Sequence, residues 1–122
     1  MKHILVIDDD PVVLAMASDF LEEAGYRVST ASDAIYSNDI IYSNDPPSLI
    51  LMDVMMPLMS GDKKVKALKR RDQSSNIPVL LISGKEEIEL QRIASEVGAD
   101  GFLTKPFNAK SLVSTVNSHL QS

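Results

Sequence analysis

Asp8, Asp9 and Asp10 follow directly on the apolar run Ile4–Ile7. Adjacent carboxylates at the end of a buried strand repel one another and need positive charge nearby. A fourth acid, Asp53, follows Leu49–Met52. Ser83 and Gly84 follow Pro78–Ile82, and Lys105 and Pro106 follow Phe102–Thr104. If each run is a strand of one parallel sheet, all of these residues reach the same rim, where open α/β sheets carry their sites. An oxygen-rich group of carboxylates suits a hard divalent cation, Mg²⁺ or Mn²⁺, that keeps several waters and takes one or two protein carboxylates. Lys105 is a second source of positive charge and can pair with Asp53. Asp53 is itself a carboxylate nucleophile of the kind that forms an acyl phosphate. Asp10 reads instead as the cap of the helix that Pro11 begins.

These residues need a scaffold, and the chain alternates as one would. Ile4–Ile7, Arg27–Ala31, Leu49–Met52, Pro78–Ile82 and Phe102–Thr104 read as strands. Helical spacing covers Pro11–Ala24, with Val13, Ala17, Phe20, Leu21 and Ala24 on one face and Gly25 as its stop. Further helices are expected over Asp62–Arg71, Glu86–Val97 with Gly98 as stop, and Ala109–Leu120 capped by Asn108. In the last, Leu112, Val113, Val116 and Leu120 share a face. Ala34–Asn44 is a weak helix, because it contains the near-repeat IYSNDIIYSND and Ser, Asn and Asp compete for backbone bonds. It should be short, frayed or distorted, and closed by Pro46 and Pro47. Five strands alternating with five helices imply an α/β fold: a doubly wound parallel sheet with helices on both faces.

The 122 residues make one domain by the usual size prior, spanning 1–122. There is no cysteine, so a disulfide framework and thiolate metal sites are excluded. A net charge of −5 argues against direct nucleic-acid binding. No run reaches bilayer length, and a cytoplasmic location without a membrane anchor is expected. The basic run Lys63, Lys64, Lys66, Lys69, Arg70 and Arg71 reads as a solvated helix face. Met52, Met55, Met56 and Met59 read as packing, with Met55 and Met56 at the rim. His3 and His119 show no partner pattern.

The segments VIDDDP, LILMDVMMPLMSG, LLISG and GADGFLTKPF, in this order and each at an expected strand end, resemble the receiver domain of two-component response regulators, including its stand-alone chemotaxis type. The resemblance covers essentially the whole chain. It implies a flavodoxin-like strand order 2-1-3-4-5 and a cis Lys105–Pro106 bond. It implies Asp53 as phospho-acceptor, and Asp8, Asp9, Asp53 and the Met55 backbone carbonyl as the Mg²⁺ set. It also implies that Ser83, Gly84 and Lys105 bind the phosphoryl group, and that Ser83 and Phe102 act as switch residues. The donor would be a sensor histidine kinase or a histidine phosphotransfer protein. The output would be a downstream protein target, or an output domain not present in this chain, with a homodimer on phosphorylation as a further expectation. Met1 reads as a natural start, and the sequence leaves open whether a further domain comes after Ser122.

Three features depart from that pattern: the near-repeat, Asp62 where an apolar residue is usual, and Phe102 where Tyr is commoner. Two other readings remain. One is a receiver-like interaction module independent of phosphorylation, whose mark would be loss of an acid, the hydroxyl or the lysine. The other is an aspartyl-nucleophile hydrolase, which needs an acid two residues after Asp53. That position is Met55, which cannot move protons, so the chain is expected to catalyse only its own phosphorylation and slow dephosphorylation. Met55 and Lys85 would flank the path of an attacking water.

Overall fold

The structure is a computed structural model and describes residues 1–120. Five parallel strands form one sheet in the order β2-β1-β3-β4-β5, with β1 His3–Ile7, β2 Arg27–Ala31, β3 Leu49–Asp53, β4 Val79–Ser83 and β5 Gly101–Thr104. Every residue of β1, β3 and β4 is buried, as their continuous apolar runs require of central strands covered on both faces. The edge strands β2 and β5 are only partly buried.

The helices are α1 Pro11–Glu23, α2 Asn38–Ile41, α3 Gly61–Arg70, α4 Glu87–Val97 and α5 Ala109–Leu120. One face of the sheet packs Leu5, Ile7, Ile50, Met52, Val79 and Leu81 against Ile41 of α2, Val65 and Leu68 of α3, and Leu90 and Ala94 of α4. The other packs Ile4, Val6, Leu49, Leu51, Leu80 and Ile82 against Ala17 and Leu21 of α1 and Leu112 and Val116 of α5. Local signals set the helix ends. The Asp10 carboxylate accepts from the Val12 N–H at 2.9 Å, and Pro11 needs no N–H at the first helical position. Gly25 and Gly98 turn the chain out of α1 and α4 at φ +97° and +78°, where a Cβ is strained. Asn108 Oδ1 accepts from the Ser111 N–H at 2.8 Å, and Ser111 Oγ accepts from the Asn108 N–H at 3.1 Å.

Three expectations are revised. Ala24 is exposed at the end of α1 rather than on its buried face. The reading of Met55 as packing fails too, since it is 65% exposed. The basic run is not uniformly solvated: Lys64 is 4% exposed, and its Nζ donates to Asn38 Oδ1 of α2. Lys69 donates to the Ile77 carbonyl and pairs with Asp100 at 2.8 Å, while the Arg71 guanidinium lies 4.6 Å from the centroid of the Tyr42 ring. Gly61, Lys64, Val65 and Leu68 share helical spacing, so Lys64 falls on the buried stripe.

The second helix is cut to four residues, as its composition foretold. Asp33 accepts from the N–H groups of Ile35 and Tyr36, holding a turn in place of the first helical residues. The two copies of the repeat meet different fates. In the first, Tyr36 is exposed and Asn38 reaches Lys64; in the second, Asn44 is exposed and Tyr42 is half-buried, its hydroxyl 3.0 Å from Ser74 Oγ.

Candidate functional site

Because all strands run the same way, their carboxyl ends deliver side chains to one rim. The β1 register leaves Asp8 one residue beyond the strand, where its N–H donates to the Ala31 carbonyl at 3.1 Å. Its side chain is fully buried, and Oδ1 accepts from the Asp10 N–H at 2.9 Å. Asp53 ends β3 and is 5% exposed. Lys105 is placed by its own backbone, whose N–H donates to the Ser83 carbonyl at 2.8 Å, beside the Ser83–Thr104 pair of the β4–β5 ladder. From there its ammonium reaches Asp8 Oδ2 at 2.8 Å and Asp53 Oδ1 at 3.3 Å. The Lys105–Pro106 bond is cis, as expected.

Asp9 is exposed and joins the group: one carboxylate oxygen from each of Asp8, Asp9 and Asp53 lies within 4.8 Å of the others. Three acids meet one ammonium, so the cluster is short of positive charge. The imbalance appears in the proton affinities. Burial holds the Asp53 carboxyl above its ordinary range, Asp8 and Asp9 push the same way, and Lys105 opposes them. Burial disfavours the Lys105 ammonium too, but Asp8 and Asp53 outweigh it and hold the group above the usual lysine value. Asp8 Oδ2 meets the ammonium at 2.8 Å, and a carboxylate oxygen has a second lone pair, so this buried atom retains accepting capacity. That oxygen, with those of Asp9 and Asp53, fits a hard cation that brings its own waters.

Gly61 is the residue that sequence reasoning missed. A Cβ at this position would run into the backbone carbonyl oxygen of Asp53, and the Gly61 N–H donates to the Val54 carbonyl at 2.8 Å. The start of α3 therefore rests directly on the backbone of the candidate nucleophile. The signal is the glycine of MSG, a residue without a side chain at the point where a loop meets a helix. The intervening loop is tight: Leu58 adopts φ +71°, and the Met59 N–H donates to the Pro57 carbonyl at 2.8 Å across a γ-turn.

The remaining expected residues are dispersed around this centre. Ser83 is 2% exposed, and its Oγ accepts from the Lys85 N–H at 3.1 Å. Gly84 is exposed with open space around its Cα. Met55 turns outward, 65% exposed. Phe102 is partly buried against the core beneath α2, α3 and α4. Lys85 is half-buried, and its Nζ lies 3.5 Å from Glu89. Asp10 is occupied as a cap and stands apart from the acidic trio.

Comparison with known proteins decides the family. The response regulator receiver domain family matches residues 4–117. The chain belongs to that family. This receiver is 35% identical over 121 residues to the DNA-binding dual master transcriptional regulator RpaA of a Synechocystis strain, covering 99% of this chain and 50% of that protein. It is 36% identical over 116 residues to the phosphate regulon transcriptional regulatory protein PhoB of Escherichia coli, covering 94% of this chain and 50% of that protein. The receiver thus spans about half the length of these curated relatives. Among solved structures it superposes on the chemotaxis response regulator CheY4 of Vibrio cholerae with a TM-score of 0.89 at 33% identity, covering 97% of this chain and 98% of that one. Receivers of two-component systems are signalling modules rather than turnover enzymes, and the flavodoxin-like strand order is the one found here.

Proposed function

We propose that this receiver accepts a phosphoryl group on Asp53 from a phosphohistidine of a sensor kinase or phosphotransfer protein, and that the modification switches a protein-binding surface. The observation that carries this reading is the Lys105 ammonium in contact with both Asp8 and Asp53. It holds a cation beside the candidate nucleophile, within a carboxylate group that still lacks charge.

In the transfer, a carboxylate oxygen of Asp53 forms a bond to phosphorus as the phosphorus–nitrogen bond of the donor breaks. The leaving imidazole keeps the electron pair and takes up a proton from solvent. Asp8, Asp9, Asp53 and the Met55 carbonyl would hold Mg²⁺, which when bound neutralises charge on the transferring oxygens. Lys105 is already within reach of Asp53 Oδ1 and stabilises a phosphoryl oxygen by the same charge. Ser83 and the Gly84 N–H follow at the next strand end, where they can bind the product. Drawing the Ser83 hydroxyl inward releases its bond to Lys85 and opens space toward Phe102, which couples the modification to the α4–β5–α5 side. Among the described residues no helix is long and apolar enough to cross a membrane, and we place this activity in the cytoplasm.

The test is intact-mass spectrometry after incubation with Mg²⁺ and a small acyl-phosphate donor, beside Asp53→Asn and a chelated sample. One hydroxylamine-labile phosphoryl adduct, absent from both controls, is expected. No adduct, together with no Mg²⁺ binding, would replace this reading with a phosphorylation-independent interaction module.

A further inference from the structure

Six of the twelve cationic residues fall in the nine positions 63–71, and all 17 acids lie outside them. Three of the six are used within the fold. Lys64 reaches Asn38, Lys69 pairs with Asp100, and Arg71 lies over Tyr42. The other three, Lys63, Lys66 and Arg70, are exposed. They follow at i, i+3 and i+7, opposite the buried stripe of Gly61, Lys64, Val65 and Leu68, and so form one line along the outer face of α3. Among the described residues no carboxylate pairs with any of them, not even Asp62 in the first turn of the same helix. Arg27, Lys85, Arg92 and Lys105, by contrast, each lie within 3.5 Å of an acid.

The needs of the helix do not account for this line. A cation in the last turn suits the helix dipole, which covers Arg70, but Lys63 stands in the first turn, where the dipole disfavours it. Lys63 and Lys66, and again Lys66 and Arg70, are like charges one turn apart, and such pairs weaken a helix. Negative charge laid along the line would relieve both costs. That charge must also be short. From Lys63 to Arg70 the helix rises about 10 Å. Beyond it the rest of the chain sets six cations against 17 acids, so a long polyanion such as a nucleic acid would run onto repelling surface. We propose that the outer face of α3 is a docking surface for a short acidic segment of a partner protein, whose carboxylates pair with Lys63, Lys66 and Arg70. The helix begins on the backbone of Asp53 at Gly61, so the docked segment and the acidic cluster share one element.

Fluorescence anisotropy of a labelled peptide of ten glutamates, at low and at physiological salt, tests the surface. The wild type should bind it, less tightly as salt rises. Reversing the line with Lys63→Glu, Lys66→Glu and Arg70→Glu together should weaken binding about tenfold, as the loss of three exposed charge pairs warrants. Reversing three exposed cations elsewhere, with Lys2→Glu, Arg92→Glu and Lys110→Glu, changes the net charge equally and should leave most of the binding in place. Amide NMR of the wild type titrated with the peptide is the second arm, and it stands if a variant fails to fold. Its shifts should gather on α3. Equal loss in both triple variants, shifts centred elsewhere, or no binding at low salt overturns the proposal. So does tighter binding of a ten-nucleotide DNA strand or of phosphatidylserine vesicles through the same three residues, which would give the face to a nucleic acid or a membrane. Self-association of the wild type that the first triple variant abolishes would give it to a second copy and overturn the proposal as well.

Discussion

At Gly61 a hydrogen in place of a side chain decides where Asp53 can sit. Gly61→Ala sets a methyl against the Asp53 carbonyl, and the clash is with backbone, which cannot swing aside. It should cost about 1–3 kcal/mol in urea unfolding and lower the yield of the Asp53 adduct together with Mg²⁺ affinity. Asp53 itself is held above its ordinary value, first by burial and then by Asp8. An acid raised in this way favours the fold below its unfolded-state value, and that contribution is lost as pH rises through the folded one. Asp53→Asn should therefore stabilise the metal-free protein at neutral pH, by on the order of 1 kcal/mol. The gain should fade as the pH is brought below about 4, which urea midpoints at the two pH values would register. Of the candidate site, the meeting of Asp8, Asp9 and Asp53 with Lys105 was legible because each follows an apolar run closely. That Lys105 lies closer to Asp8 than to Asp53 was not, since sequence places the rim and not the reach of a four-carbon side chain.

The second helix illustrates what an element needs when its own residues favour it weakly. Four residues cannot hold themselves helical, and α2 is stitched to α3 at two points. At one, Lys64 reaches Asn38; at the other, Tyr42 bonds Ser74, which in turn donates to the Leu68 carbonyl at 2.8 Å. Tyr42→Phe should cost about 1 kcal/mol in thermal unfolding, the net worth of a typical intramolecular hydrogen bond. Lys64 behaves differently, because burial, and then Arg71, disfavour its ammonium while Asp33 supports it. Lys64→Met keeps the length of the side chain but gives up the bond to Asn38, and should lower stability by about 1 kcal/mol in urea unfolding. The weak helix was readable from Ser, Asn and Asp within it. The buried lysine was masked by counting charges, although its spacing from Gly61, Val65 and Leu68 placed it on the apolar stripe.

Across the whole molecule the sheet was the most legible feature. The apolar runs at β1, β3 and β4 have no polar alternation, which only strands covered on both faces show. The neighbours of each strand are another matter: they depend on where crossovers pass, and family resemblance rather than periodicity supplied the order. Three acids against one lysine at the rim also bear on global stability. A divalent cation at about ten times its dissociation constant should add about 1.4 kcal/mol, read as a rise in Tm of about 5 °C that a chelator reverses. Asp53→Asn should show a smaller rise, since one carboxylate of the set is gone.

The doubled IYSND segment carries a lesson about copied sequence. The first copy runs through the turn into the four-residue α2 and the second runs out of it, so identical letters meet different backbone and look in different directions. Here that leaves Tyr36 in water and Tyr42 against α3, Asn38 against Lys64 and Asn44 in water. Repetition in the text is therefore not repetition in constraint. A library randomised over both copies should return a lopsided record, permissive at Tyr36 and Asn44 and restrictive at Asn38 and Tyr42, and the duplication would be expected to erode from the two exposed letters first.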